Sequence, residues 1–213
     1  MVKKFLPHTT FARPLTNEKD IDLFLDEYEK EDPDFQNKFV LFCGRSNVGK
    51  SSLINAIFNG KIARTSKTPG RTQAINVFKY TVEKDGEERY FMDLPGFGYA
   101  KVSKTMREQW NQTFSYFFEV LPADTIIFHI QDSRHPFTEV DQQFLSFLSG
   151  GVFENYLLLN KYDKMKTQKL RAQLDKEIKS HSFFTDHYER VLKCSAEQKL
   201  GLEPIYDKLL EQF

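Results

Sequence analysis

One octapeptide constrains this chain more than any other stretch: Gly44-Arg45-Ser46-Asn47-Val48-Gly49-Lys50-Ser51. It meets the pattern G-x-x-x-x-G-K-[ST] at every fixed position. Residues 38–43 ahead of it, Lys-Phe-Val-Leu-Phe-Cys, read as a buried strand. Residues 52–58 behind it, from Ser52 to Phe58, carry apolar side chains at helical spacing. Strand, glycine loop and helix together form a cradle for a phosphate chain. The glycines let successive N–H groups turn inward, and the new helix offers its positive end to the same anion. Lys50 is expected to reach the β- and γ-phosphates, and the Ser51 hydroxyl to ligate Mg²⁺.

Composition bounds the rest. The chain has 213 residues, with 40% hydrophobic and 15% aromatic content, enough to fill a core. Lys and Arg total 30 and Asp and Glu total 30, so no global field argues for nucleic acid or a membrane surface. The two cysteines, Cys43 and Cys194, each fall at an expected strand end and read as buried free thiols suited to a reducing cytoplasm. Lys3 and Lys4 are not followed by an apolar stretch, so no secretory signal is expected, and no apolar run reaches membrane-spanning length.

Taken in order, residues 1–16 read as an extended lead-in containing Pro7 and Pro14. Asn17 or Asp20 is expected to cap a helix to about Tyr28, with Ile21, Phe24, Leu25 and Tyr28 on one face. From Glu18 to Asp34 there are nine acids and two bases, which reads as a solvated acidic face. Residues 61–73 hold four bases, no acid and a Pro-Gly, and read as a mobile loop. A strand from Ile75 to Val82 and its return through Arg89 to Met92 flank a Lys84-Asp85-Gly86-Glu87 turn, a hairpin signal. A helix over about 105–120 carries Met106, Trp110, Phe114, Phe117 and Phe118 toward the core. A buried strand over 125–131 encloses His129, read as a satisfied core residue. Helices over 139–149, 167–180 and 201–213 and strands over 155–159 and 191–194 complete the pattern. Such alternation implies an α/β fold, a mostly parallel six-stranded sheet with one antiparallel edge strand and helices on both faces.

Chemistry gathers at the carboxyl ends of those strands, where open α/β sheets bind ligands. The return strand ends in Asp93-Leu94-Pro95-Gly96, 43 residues after Lys50. In nucleotide switches such an Asp holds Mg²⁺ through water and such a Gly touches the γ-phosphate. At the tip of the 155–159 strand stands Asn160-Lys161-Tyr162-Asp163. An Asp there accepts from guanine N1–H and the 2-amino group together, and adenine has neither donor, so it would leave a buried carboxylate unpaired. Asn160 is expected to face guanine O6 and to tie this loop to the phosphate loop, with the Lys161 stem along the base plane. After the last strand, a backbone N–H at Ser195-Ala196 is expected to donate to O6.

These residues resemble the EngB (YihA/YsxC) family of Era-like GTPases. The resemblance spans about residues 36–210 and rests on 44–52, on Thr68-Pro69-Gly70-Arg71-Thr72-Gln73, on the run from Asp93 to Lys104, and on Asp132-Ser133-Arg134-His135-Pro136. It implies a phosphate-loop NTPase G domain over 36–213, preceded by an N-terminal extension with an acidic helix over 1–35. It implies GTP and GDP binding, a role in assembling the large ribosomal subunit, and a need in cell division and septation. It makes Ser51 and Thr72, with Asp93, the Mg²⁺ site. Gly70, Arg71, Thr72, Gln73 and Ala74 would close over the γ-phosphate, and Cys194, Ser195 and Ala196 would frame the base with Asn160 to Asp163. The family commonly has another residue, often Thr, at the place of Asn160, and Phe-Ser-Ser where this chain has Cys194-Ser195-Ala196.

Many switch GTPases place a water-orienting Gln directly after D-x-x-G. Here that residue is Phe97, so slow hydrolysis is expected, with Lys50, Thr72 and Asn47 as the catalytic candidates. Asn47 is either a K⁺ ligand, as in related GTPases, or a loop-shaping hydrogen-bond partner. The bases Lys61, Arg64, Lys67, Arg71, Lys101, Lys104 and Arg107 either meet ribosomal RNA or serve solubility and phosphate steering. A monomer is expected. The rival reading is a nucleotide-dependent small-molecule kinase, which would want an acceptor pocket, a lid and adenine selectivity.

Overall fold

The computed structural model describes residues 7–31, 39–63, 74–81, 88–97, 104–123, 125–181 and 186–210. Seven strands form one sheet: β1 (His8–Leu15), β2 (Val40–Gly44), β3 (Ile75–Thr81), β4 (Glu88–Asp93), β5 (Ile126–Asp132), β6 (Glu154–Asn160) and β7 (Arg190–Lys193). Their spatial order is β1-β3-β4-β2-β5-β6-β7. The five strands from β4 to β7 run parallel. Strand β3 is antiparallel to both its neighbours.

The sheet therefore has one strand more than the sequence implies, and the antiparallel strand is not at the edge. Residues 8–15 are extended, as expected, but they also pair with β3 along its full length. The segment hides this role because it lacks clean alternation and contains Pro14, which an edge strand tolerates and a central strand does not. A register shift between Phe11 and Arg13 interrupts the pairing. The Phe11 ring meets Phe78 edge-on at 5.4 Å.

Among the described residues six α-helices cover the sheet: α1 (Glu18–Glu31), α2 (Lys50–Ile57), α3 (Lys104–Val120), α4 (Glu139–Leu148), α5 (Gln168–Ser180) and α6 (Glu203–Leu210). The start of α1 is settled by Asn17, whose Oδ1 accepts from the Asp20 N–H at 3.1 Å. Strand β2 shows how the two faces divide. Val40 and Phe42 join the core under α2 and α6, while Leu41 and Cys43 join the core under α1, α3 and α4. A third cluster, with Leu157, Leu159 and Leu174, seats α5. Phe117 and Phe118 are buried as expected; the side chains of Met106 and Trp110, and the hairpin turn 84–87, lie outside the described residues. Both cysteines are buried free thiols, and burial pushes Cys194 up to about 12.

Phe91 sits at the centre of the first core. It is fully buried and stacks on Phe58 at 4.1 Å and on Phe78 at 4.8 Å. Phe91→Ala should cost about 3–5 kcal/mol in urea unfolding, since the two flanking rings cannot collapse into the space. A loss below about 1 kcal/mol would contradict this packing.

Candidate functional site

Backbone constraints shape the loop between β2 and α2. Val48 is buried in the core and anchors the turn. Gly49 has φ 94°, and a Cβ there would stand 2.6 Å from the Asn160 amide nitrogen, so conformation and space both require glycine. Among the described residues no side chain caps α2. By contrast α4 carries a Thr138–Asp141 capping box and α5 is capped by the Thr167 hydroxyl. The first N–H groups of α2 therefore keep their donors for an outside anion. Lys50 and Ser51 begin this helix and Ser52 follows, exposed.

The end of β4 lies directly against the loop. Lys50 Nζ pairs with the Asp93 carboxylate, and both side chains are nearly buried. Leu94 N–H donates to Phe42 O at 3.0 Å, and Pro95 is buried behind it. Ser46 N–H donates to Phe97 O at 3.2 Å and Phe97 N–H to Gly44 O at 3.4 Å, so Arg45 and Phe97 form a parallel bridge. A Cβ on Gly96 would meet the Ser46 backbone at 3.1 Å, so any side chain there would have to push the phosphate loop back by a few tenths of an ångström. The Phe97 ring turns into α4, stacking on Phe144 at 4.5 Å.

The end of β6 supplies the second half. Asn160 is 1% exposed. Its Nδ2 donates to Val48 O at 3.0 Å, with Gly49 O at 3.4 Å, and its Oδ1 accepts from Ala196 N–H at 3.1 Å. The tie to the phosphate loop is thus present. Both ends of the amide are engaged within the protein, which is a different arrangement from the expected reach toward guanine O6. Lys161 has φ 60° and donates to Asn47 O at 2.6 Å and to Asp132 at 3.0 Å. Asn47 itself is exposed at φ 69°. Tyr162 N–H donates to Cys194 O, which continues the β6–β7 pairing into the loops.

Asp163 has a nearly buried side chain. Its Oδ1 accepts from the Ser195 hydroxyl at 2.7 Å, and Oδ2 faces Lys164 at 2.9 Å. Burial pulls this carboxyl upward, but the Ser195 hydroxyl and the Lys164 ammonium outweigh it and hold it below its ordinary value. It is therefore ionised at neutral pH, an acceptor only.

A chain of buried groups behind the loop has no counterpart in the sequence reading. Arg45 Nε donates to both Asp141 oxygens at 3.0 and 2.9 Å, and a terminal nitrogen donates to His135 O at 2.9 Å. Asp141 faces His129 Nε2 at 3.5 Å, and His129 Nδ1 meets the Tyr188 hydroxyl at 2.6 Å. Ser133 Oγ donates to Asn160 O at 2.7 Å. The Thr138-to-Asp141 spacing is a legible helix start; that its carboxylate also reaches Arg45, 96 positions away, is not. Gly70, Arg71, Thr72 and Gln73 lie outside the described residues, and Ala74, half-buried, leads directly into β3.

A family profile described as "50S ribosome-binding GTPase" matches residues 39–161. A probable GTP-binding protein EngB of Prosthecochloris aestuarii is 40% identical over 164 residues, covering 76% of this chain and 82% of that protein. Its counterpart in Campylobacter jejuni subsp. jejuni is 37% identical over 198 residues, 89% of this chain and 94% of that protein. In fold, the chain resembles Aquifex aeolicus Era bound to GDP and aluminium fluoride, with a TM-score of 0.66, 21% identity, and coverage of 82% of this chain and 56% of that one. It also resembles the crystal structure of a probable GTP-binding protein EngB, with a TM-score of 0.56, 22% identity, and coverage of 82% and 97%. Loop, sheet order and comparisons define a phosphate-loop GTPase. More narrowly, the chain belongs to the EngB family of GTP-binding proteins.

His129 gives the site a pH signature. Full burial pushes its imidazole below the ordinary value of 6.5, against the opposing pull of Asp141. Below about pH 6.5 the unfolded chain takes up a proton that the folded chain refuses, so stability falls as pH falls. His129→Gln should remove up to about 1.4 kcal/mol per pH unit of that slope between pH 7 and 5, measured by urea unfolding. Equal slopes in the two proteins would contradict it.

Proposed function

We propose that this GTPase is a GTP/GDP switch for large ribosomal subunit assembly. The observation that carries the nucleotide half is the uncapped start of α2, set beside Lys50, Asp93 and the ionised Asp163. Gly44 to Ser52 would wrap the triphosphate, with Lys50 turning from Asp93 to the β- and γ-phosphates. Asp163 would select guanine through N1–H and the 2-amino group, its free acceptor capacity set by Ser195. Asn160 would act as the brace between phosphate loop and base loop, and the Lys161 stem would line the base.

The donors present suit Mg²⁺. Among the described residues no group of three or more His, Cys, Asp or Glu side chains forms a metal cage. Ser51 and Asp93 are hard oxygen donors, and Mg²⁺ asks for one or two such side chains plus phosphates and water. Ser51, Thr72 and Asp93 would hold it, and bound there it would neutralise charge on the phosphates. Phe97, packed into α4, puts a ring that cannot orient water at the position directly after Gly96, which supports slow hydrolysis. Asn47 would recruit K⁺ beside the phosphates. Exchanging Na⁺ for K⁺ should then speed single-turnover hydrolysis, and equal rates would remove that role.

The ribosomal half rests on the family profile's description and on the bases of residues 61–107, most of them outside the described residues. Septation and division would depend on it indirectly. Depletion that left both ribosome assembly and septa normal would contradict both. Among the described residues no helix is long and apolar enough to cross a membrane, and we place the protein in the cytoplasm as a monomer. The profile match over 39–161 supports a G domain beginning near residue 36; we carry that domain to 213 and read 1–35 as an extension whose β1 and α1 pack onto it. A small-molecule kinase is disfavoured because Asp163 offers adenine no partner. The protein should cosediment with large subunits in a non-hydrolysable GTP analogue and release them in GDP. Identical sedimentation in both nucleotides would contradict the switch.

A further inference from the structure

Helix α4 touches the phosphate loop and the segment after Asp93 through two residues one turn apart. Asp141 and Phe144 stand at i and i+3, on one face of the helix, and both are buried. Asp141 receives the Arg45 Nε–H, shared between its two oxygens at 2.9–3.0 Å. Phe144 receives the Phe97 ring at 4.5 Å. Arg45 and Phe97 are themselves bridged backbone to backbone. The Arg45 guanidinium thus points away from the phosphate cradle and into the protein, where Asp141 is fixed by Thr138 N–H at 3.1 Å and Thr138 Oγ at 2.7 Å.

We propose that Asp141 is a positioning residue for GTP hydrolysis: with Phe144 it sets the spacing between the phosphate loop and the Asp93–Phe97 segment. This rests on the reading that those two segments hold the triphosphate. The spacing matters most on the γ-phosphate side, where Gly96 meets Ser46 with no room to spare. GDP makes its contacts with the loop and the base site alone and depends on it less. The guanidinium suits the task because it is held at two points, Nε–H shared by the Asp141 oxygens and a terminal nitrogen on His135 O, which fixes direction as well as distance.

The test separates hydrolysis from binding. Asp141→Asn should slow single-turnover GTP hydrolysis about tenfold, within the ~10²-fold that a misplacement of about 1 Å costs. The GDP dissociation constant should stay within about threefold. Phe144→Leu, which keeps the Arg45–Asp141 pair and removes the ring under Phe97, should show the same split. It carries the test alone should Asp141→Asn not fold. The double variant should be little slower than the worse single, because both act on one spacing. Unchanged or faster hydrolysis, or hydrolysis and GDP affinity falling in proportion, would overturn the proposal. Wild-type protein that binds no GDP would instead overturn the reading beneath it.

Discussion

One buried carboxamide holds the site together. Asn160 gives its N–H groups to the phosphate-loop carbonyls of Val48 and Gly49 and takes the Ala196 N–H on its oxygen. Three loops, from β2, β6 and β7, converge on that side chain. Buried polar groups are costly unless satisfied, so the amide is stable in one arrangement only, and the loops are held with it. Gly49 must be glycine because the amide occupies the space a Cβ would need. Ser133 fixes the Asn160 carbonyl from behind. The phosphate loop and the loops after β6 and β7 are therefore parts of a single hydrogen-bonded unit.

Around that unit the charges are arranged by sign. The uncapped start of α2 carries Lys50, paired with Asp93, and the loop after β6 carries Asp163, held by Ser195. Asp132 is drawn well below the carboxylate range; burial works against this, and Arg134 and Lys161 overcome it. The Lys161 ammonium is thereby steered onto Asn47 O at the rim of the loop. Side chains meet the Leu170 N–H at the start of α5 and the Thr138 N–H ahead of α4, while among the described residues none meets an N–H at the start of α2. Local sequence explains the difference: Gly49 precedes α2 where Thr138 and Thr167 precede the other two.

Local patterns carried most of the fold into view. Residues 40–44, 126–132 and 154–160 are short apolar runs, and the helices between them keep their period, so a parallel sheet is legible. Strand β1 was not, because its stability comes from pairing with β3 rather than from its own alternation. The loop motifs were legible as fixed residue types at fixed spacings, and the fold brings Lys50, Asp93 and Asn160 together at one end of the sheet. The connections behind them were not. Arg45 to Asp141 and Ser195 to Asp163 join residues 96 and 32 positions apart through side chains whose types are common everywhere. Only the folded register brings them together.

The central claim is that Asp163, ionised and oriented by Ser195, chooses the purine. Competition titration of a fluorescent GDP analogue with GTP and with ATP measures this directly. The account predicts displacement by GTP at concentrations at least about a thousandfold below those of ATP, the scale set by an unpaired buried carboxylate. Displacement by ATP and GTP at equal concentrations would contradict it.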